Sequence, residues 1–129
     1  ANRHDPALVK HVHIPRAKAL FSPHMWAKHP YVVMHELAHA YHDQVLSFDN
    51  KEIIEAYKAA KKAGIYEKVM LYTGSTVRHY GLNNHKEYFA ESTEAYLGVN
   101  DFYPFVRGEL KKHDPRMYKI MEKVWGPVR

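Results

Sequence analysis

The sequence predicts a mainly α-helical domain, α+β at most, and two observations support the helical class. Asn50 and Asn84 are typical N-cap residues before runs of helix-forming residues, and Gly64 and Gly126 are typical helix stops. No repeat, low-complexity tract or long linker interrupts the 129 residues, a length typical of one domain. We therefore expect residues 1–129 to form a single domain, which leaves open that it is the C-terminal part of a longer protein.

The first third of the chain is expected to contain one strand and two helices. Residues 8–14, LVKHVHI, alternate in part between apolar and polar side chains and favour an edge strand. Ser22-Pro23 is typical of an N-cap followed by proline in the first turn, and predicts a short helix that ends near Pro30. A longer helix over about 31–46 follows.

The remaining chain is predicted to be helical, with short loops between the helices. Glu87 comes three residues after Asn84, a spacing typical of a capping box at a helix start. The predicted elements are, in chain order, a helix from Asn50 to Gly64, a short helical turn near 66–71, a loop over 72–84, a helix to residue 96 or 97, and two short helices over about 105–113 and 115–125.

Composition excludes several classes of function. The 19 basic and 14 acidic residues give a net charge of +5, but the cations are scattered without a basic-aromatic motif, so we do not expect nucleic-acid binding. The absence of cysteine excludes disulfides, thiolate metal sites and thiol nucleophiles. No apolar run approaches the roughly 20 residues of a membrane span. We expect a secreted or extracytoplasmic location, although the N-terminus carries no secretory signal pattern.

The stretch VVMHELAHAYHD, residues 32–43, places His35 and His39 four positions apart around Glu36. Residues i and i+4 share one face of a helix, so both imidazoles can bind one metal ion. Glu36 is set about 100° around the helix axis, where a carboxylate can accept a proton from metal-bound water. HExxH also occurs by chance. Apolar residues before it indicate a buried helix, however, which would not normally carry these groups unpaired.

A catalytic zinc site needs a third protein ligand. The same-helix pattern HExxHxxGxxH is excluded, because His42 and Val45 stand where it requires Gly and His. The stretch HKEYFAESTEAYL instead offers three carboxylates on one helical stripe, Glu87, Glu91 and Glu94, and their spacing does not distinguish between them. A solvated acidic face is the alternative, but the apolar stripe does not separate cleanly from the acidic one, so part of the acidic stripe is expected to face inward.

HELAH, followed about fifty residues later by a helical ExxxE, resembles the gluzincin metallopeptidases. In particular, it resembles the catalytic domain of the anthrax lethal factor type, in which a Tyr-Gly precedes a glutamate seven residues after the Tyr and then aromatic-Phe-Ala-Glu. Here Tyr80-Gly81 precedes Glu87 and the residues Tyr-Phe-Ala-Glu at the same interval. The resemblance covers residues 31–97 in outline and is specific at the two motifs.

The resemblance implies a zincin-like metallopeptidase domain with one or few edge strands before the HExxH helix. It implies that His35, His39 and Glu87 bind one Zn²⁺ per chain. It also implies a zinc-dependent metalloendopeptidase that hydrolyses peptide bonds through a zinc-bound water activated by Glu36, which acts as general base and acid. The expected partner is therefore a peptide or protein substrate.

The same resemblance implies two supporting residues. Glu91 would accept the free N–H of His35 or His39, which fixes the tautomer of the ligand. Tyr80 would donate its hydroxyl to the oxyanion of the tetrahedral intermediate. Three further histidines are not assigned to the ligand set: His42 is expected to support the site or lie at its rim, and His79 and His85 are expected at the surface.

One departure from the family pattern leaves alternatives open. Zincin domains usually have a β-sheet before the HExxH helix, and its edge strand pairs with the substrate. Only about thirty residues precede His35, so the sheet is either reduced or upstream of this chain. The first alternative is a catalytically inactive metal-binding or protein-interaction domain derived from a peptidase, and the second is a basic nucleic-acid-binding domain. Glu36 and Tyr80 favour the enzyme, because a structural zinc needs neither.

Overall fold

The computed structural model describes residues 32–127, so the strand predicted over 8–14 and the helix predicted to begin at Ser22-Pro23 lie outside it. In this part of the chain the fold is mainly α-helical, as predicted, with five α-helices and a two-stranded sheet. None of the helices in this part is long and apolar enough to cross a membrane. The elements are α1 (Val32–Tyr41), α2 (Lys51–Ala63), β1 (Val69–Met70), β2 (Thr76–Val77), α3 (His85–Leu97), α4 (Arg107–His113) and α5 (Pro115–Trp125).

Helix α1 carries the HExxH stretch and continues as a π-helical turn over His42–Leu46. The helix predicted over 31–46 therefore changes its hydrogen-bonding period before it ends. Ser47 then adopts φ 73°, in the left-handed region that does not continue a right-handed helix. The π turn begins after His39, so it leaves the one-turn spacing between His35 and His39 intact.

Side-chain caps set the starts of α2, α3 and α5 where the sequence predicts them. In each case a side-chain oxygen accepts an N–H from the residue three positions on: Asn50 from Ile53, Asn84 from Glu87 and Asp114 from Met117. Gly64 ends α2 in the left-handed conformation, at φ 71°. The capping box predicted for α3 is half formed among the described residues. Asn84 accepts the Glu87 backbone N–H, but the Glu87 carboxylate contacts two histidines of α1.

Helix α3 is the central element of the described fold. All of its residues from Tyr88 to Tyr96 are buried, and α1, α2, α4 and α5 pack around it. Its apolar side chains, such as Phe89 and Ala90, belong to the core. Glu91 and Glu94 are buried in the same stretch, and buried carboxylates are costly unless they are paired. Their partners lie across the interface with α1.

The small sheet lies where the sequence analysis predicts a helical turn and a loop. Residues 66–71, predicted as a helical turn, instead include β1, which pairs antiparallel with β2 so that Val69 faces Val77. A two-residue strand is defined by its partner and has no periodicity of its own, which explains the wrong prediction. The predicted loop over 72–84 contains β2 and a 3₁₀ turn over Tyr80–Leu82 that leads into α3.

Candidate metal centre

The two histidines of the HExxH stretch face the interface between α1 and α3. His35 and His39 are one helical turn apart, and their Nε2 atoms are separated by 3.1 Å. The rings meet edge to face, with centroids 4.7 Å apart and planes at 82°. Their side chains are 16% and 20% exposed, so the pair is shielded but still accessible to solvent.

Glu87 reaches this pair from the first turn of α3. Its Oε1 lies 3.0 Å from His35 Nε2, and its Oε2 lies 3.2 Å from His39 Nε2. The Asn84 cap accepts the Glu87 backbone N–H and so fixes the point at which this side chain leaves the helix. One ligand atom from each of the three side chains lies within 4.8 Å of the others. Together they form a cluster that could hold a metal ion.

Two more carboxylates of α3 lie against the opposite edge of the His35 ring. Glu94 Oε2 is 2.6 Å from His35 Nδ1, and Glu91 Oε2 is 3.3 Å from the same nitrogen. Both glutamates are buried, at 9% and 6% exposure. With His35 they form a second group of ligand atoms within 4.8 Å of one another. The family resemblance implies a supporting role for Glu91, whereas the carboxylate nearer to His35 Nδ1 is that of Glu94.

The sequence already predicts that Glu94 lies on the acidic stripe of α3 that also carries Glu87. Glu94 follows Glu87 by seven residues, which is close to two full helical turns. It therefore lies on the same stripe of α3 and can contact the same partner helix. The sequence does not show which edge of a histidine ring each carboxylate meets, because that depends on how α1 packs against α3.

The carboxylates make this interface favourable for positive charge. Burial acts to lower the pKa of His35, but the contacts of its ring with the Glu91 and Glu94 carboxylates, and their negative charges, outweigh it and raise that pKa to about 10. Burial raises the pKa of Glu94 to about 7, against the opposing effect of His35. Burial also lowers the pKa of His39, although the charge of Glu87 opposes this change. A cation in this cluster is therefore stabilised by its surroundings.

Glu36, the predicted general base, follows His35 on α1 and is partly exposed. Its negative charge acts on His39, where it opposes the lowering of the pKa by burial. The carboxylate is thus within electrostatic reach of the cluster and accessible from solvent.

Tyr80 begins the 3₁₀ turn before α3, and its side chain is 44% exposed. The backbone of the turn is held by the buried His79, whose Nδ1 accepts the Gly81 N–H at 2.8 Å. A Cβ at position 81 would lie 2.9 Å from His79 Nδ1 and 3.2 Å from the Tyr88 Cα, so only glycine fits this close approach without a shift. The turn is therefore fixed against α3, while the Tyr80 ring stays accessible.

Two histidines are more buried than the sequence analysis predicts. His79 was expected at the surface but is 3% exposed, with its ring 5.1 Å from that of Phe102, and burial lowers its pKa to about 3. His42 was expected to support the site or lie at its rim; it does not lie at a rim, because it is fully buried between Phe48 and Phe89. Burial lowers the pKa of His42 to about 4. Both rings pack as neutral aromatic groups in the interior.

Comparison with protein-family models, with curated proteins and with solved structures finds no match for this chain.

Proposed function

We propose that this chain is a zinc-dependent metalloendopeptidase of the gluzincin type, with a zincin-like fold. His35, His39 and Glu87 would hold one zinc ion. The observation that carries this proposal is that their ligand atoms, from two separate helices, lie within 4.8 Å of one another. Two histidines and a glutamate are a ligand set of catalytic zinc sites, which leave a further position open.

The spacing of the ligand atoms supports zinc. Tetrahedral ligands about 2.0–2.1 Å from a zinc ion are separated from one another by roughly 3.3 Å. The two Nε2 atoms of His35 and His39 are 3.1 Å apart, and Glu87 oxygens lie 3.0 and 3.2 Å from them. These separations are close to the tetrahedral value. The buried carboxylates also favour a dication at this place, since they favour positive charge on His35.

The chain supplies the groups that move protons and bind the reacting carbonyl. When bound, zinc would act as a Lewis acid on the scissile carbonyl and acidify a water molecule. Glu36 takes the proton of the attacking water and returns it to the leaving amine nitrogen, because it adjoins a ligand and is accessible. The Tyr80 hydroxyl, on an exposed side chain, donates a hydrogen bond to the developing oxyanion.

The test of this function is Glu36→Gln, compared with the wild type and with Glu52→Gln on the exposed face of α2. Zinc content should stay the same in all three chains, because Glu36 is not a ligand. The rate of hydrolysis of a mixed peptide library, measured by mass spectrometry, should fall by a factor on the order of 10²–10⁴ in Glu36→Gln and stay unchanged in Glu52→Gln.

Two results would count against the proposal. Unchanged hydrolysis in Glu36→Gln would remove the proposed base. A zinc-loaded wild type that cleaves no peptide in the library would favour the alternative, a metal-binding or protein-interaction domain without catalysis.

A further inference from the structure

One helix contacts both nitrogens of the His35 ring. Glu87, at the start of α3, lies 3.0 Å from Nε2, and Glu94, two turns later, lies 2.6 Å from Nδ1. Seven residues advance an α-helix by about 10.5 Å. The two carboxylates therefore reach the ring from opposite directions along α3, which leaves the imidazole little freedom to turn.

We propose that Glu94, rather than Glu91, is the residue that orients His35 toward the metal, by accepting its Nδ1–H. The inference rests on the proposed zinc site. Charge-assisted N–H···O bonds are typically about 2.7–2.9 Å long. The 2.6 Å contact of Glu94 is a short bond of this kind, whereas the 3.3 Å contact of Glu91 is longer than the typical range. A proton held on Nδ1 keeps the lone pair of Nε2 for the metal, which is how acceptors around a zinc site act on their histidine.

The hydrogen bond to His35 also explains why Glu94 is tolerated in a buried position. Its side chain is 12% exposed, and a carboxylate at such a depth is costly without a close partner. His35 Nδ1 is that partner, across the contact between α1 and α3. Glu94 is thus a buried side chain whose carboxyl group makes a short hydrogen bond to His35, a proposed zinc ligand.

Glu91 is the matched comparison, because it is the same residue type on the same helix and approaches the same nitrogen. Its Oε2 makes the longer contact to His35 Nδ1. Its Oε1 is buried and has no hydrogen-bond partner among residues 32–127. Glu91 therefore contributes negative charge around the ring but does not fix the direction of the Nδ1–H bond.

The test compares the wild type with Glu94→Ala, Glu94→Gln and Glu91→Ala, using zinc alone as the probe. Zinc affinity is measured by competition with a chromophoric chelator. Glu94→Ala should weaken zinc binding about 10- to 100-fold, the usual effect of removing an acceptor behind a histidine ligand. Glu94→Gln should recover most of the affinity, because its amide oxygen can still accept the Nδ1–H. Glu91→Ala should have the smallest effect of the three.

A second measurement reports on the His35 ring without requiring zinc. In chains labelled with ¹⁵N-histidine, NMR should detect the His35 Nδ1–H as a proton protected from exchange with water. The signal should be lost in Glu94→Ala and kept in Glu91→Ala. A purely structural role of Glu94 would change the unfolding temperature but would not act selectively on this proton. If Glu94→Ala fails to fold, Glu94→Gln is compared with Glu91→Gln, and only the former should shift the signal.

The outcomes separate this inference from the proposed function. If Glu91→Ala has an effect on zinc affinity and on the ring signal as large as that of Glu94→Ala, or larger, the inference is overturned and the zinc site stands. If the wild type binds no zinc but its ring signal is lost only in Glu94→Ala, the proposed function fails and the assignment of the Glu94 contact is supported.

Discussion

Among single residues, Glu87 has the most direct link to the proposed metal ion, because its two carboxylate oxygens contact both histidines. Removing it would take away one of the three proposed protein ligands. We therefore expect Glu87→Ala to weaken zinc binding by at least about 100-fold, more than the usual loss of a supporting residue. Chelator competition measures this affinity.

Tyr80→Phe is the matched comparison for this prediction. The Tyr80 hydroxyl is proposed to act on the substrate and not on the metal. The Phe variant should therefore keep the zinc affinity, and its kcat should be lower by a factor on the order of 10²–10³. If Glu91→Ala removes the metal and Glu87→Ala does not, the roles of these two carboxylates are reversed.

The part of this cluster that can be predicted from the residues themselves is the part in which the relation between residues is local. The spacing of His35 and His39 places them on one face of α1 whatever packs against it. The choice of Glu87 among three carboxylates came from the family resemblance, and the structure brings it to both histidines. The contact between Glu94 and His35 spans 59 residues and depends on the rotation of two helices. No local pattern contains that rotation.

At the scale of elements, a buried carboxylate connects α3, α5 and the segment before β1. Asp114 caps α5 through the Met117 N–H, and its Oδ2 accepts hydrogen bonds from the Tyr66 and Tyr88 hydroxyls at 2.8 and 2.6 Å. Burial and the charge of Asp114 raise the pKa of both tyrosines well above the usual value, so both hydroxyls stay donors. This arrangement holds α3, and with it the acidic stripe, in place on the fold.

The 3₁₀ turn before α3 gives a prediction about pH. His79 caps this turn as a neutral ring, with a folded pKa of about 3 against 6.5 for an ordinary histidine. Below pH 6.5 the unfolded chain binds a proton that the folded chain does not, so the contribution of His79 to stability is lost as the pH falls toward 3. His79→Asn keeps an acceptor for the Gly81 N–H but does not titrate.

We therefore expect the wild type to lose stability relative to His79→Asn on acidification. Between about pH 6 and pH 4, the free energy of unfolding of the wild type should fall relative to that of His79→Asn by about 1.4 kcal/mol per pH unit. Urea unfolding of both metal-free chains across this range measures it. Parallel pH profiles would show that His79 is not held neutral in the fold.

The elements divide into those that the sequence predicts and those that it does not. Asn50, Asn84 and Asp114 bond to backbone groups three residues away, so their helix starts can be read locally. The β1–β2 pair cannot be predicted locally, because each strand is only two residues long and is defined by its hydrogen bonds to the other strand. The burial of His79 has the same origin, since its surroundings include Tyr66 and Phe102 from distant parts of the chain.

At the scale of the whole molecule, the described fold is a group of helices around one buried helix that carries acidic side chains. The mainly α-helical class was predictable, because caps and stops recur along the sequence. Part of the acidic stripe of α3 was expected to face inward, and Glu91 and Glu94 are buried. The central position of the helix was not predicted, because its Ser92 and Thr93 are polar and still buried. A metal ion between α1 and α3 would join the HExxH helix to the centre of the fold, and any ligand that binds only the folded state also stabilises it.

The proposed metal centre is tested by elemental analysis of the purified chain beside His39→Ala. His39 supplies one ligand atom of the cluster and lies 3.1 Å from the Nε2 of His35. We predict about one zinc ion per wild-type chain and its loss in the variant. If the wild type holds no stoichiometric zinc even after incubation with the ion, HELAH is only part of a helix with two histidines on one face, and the peptidase proposal is wrong.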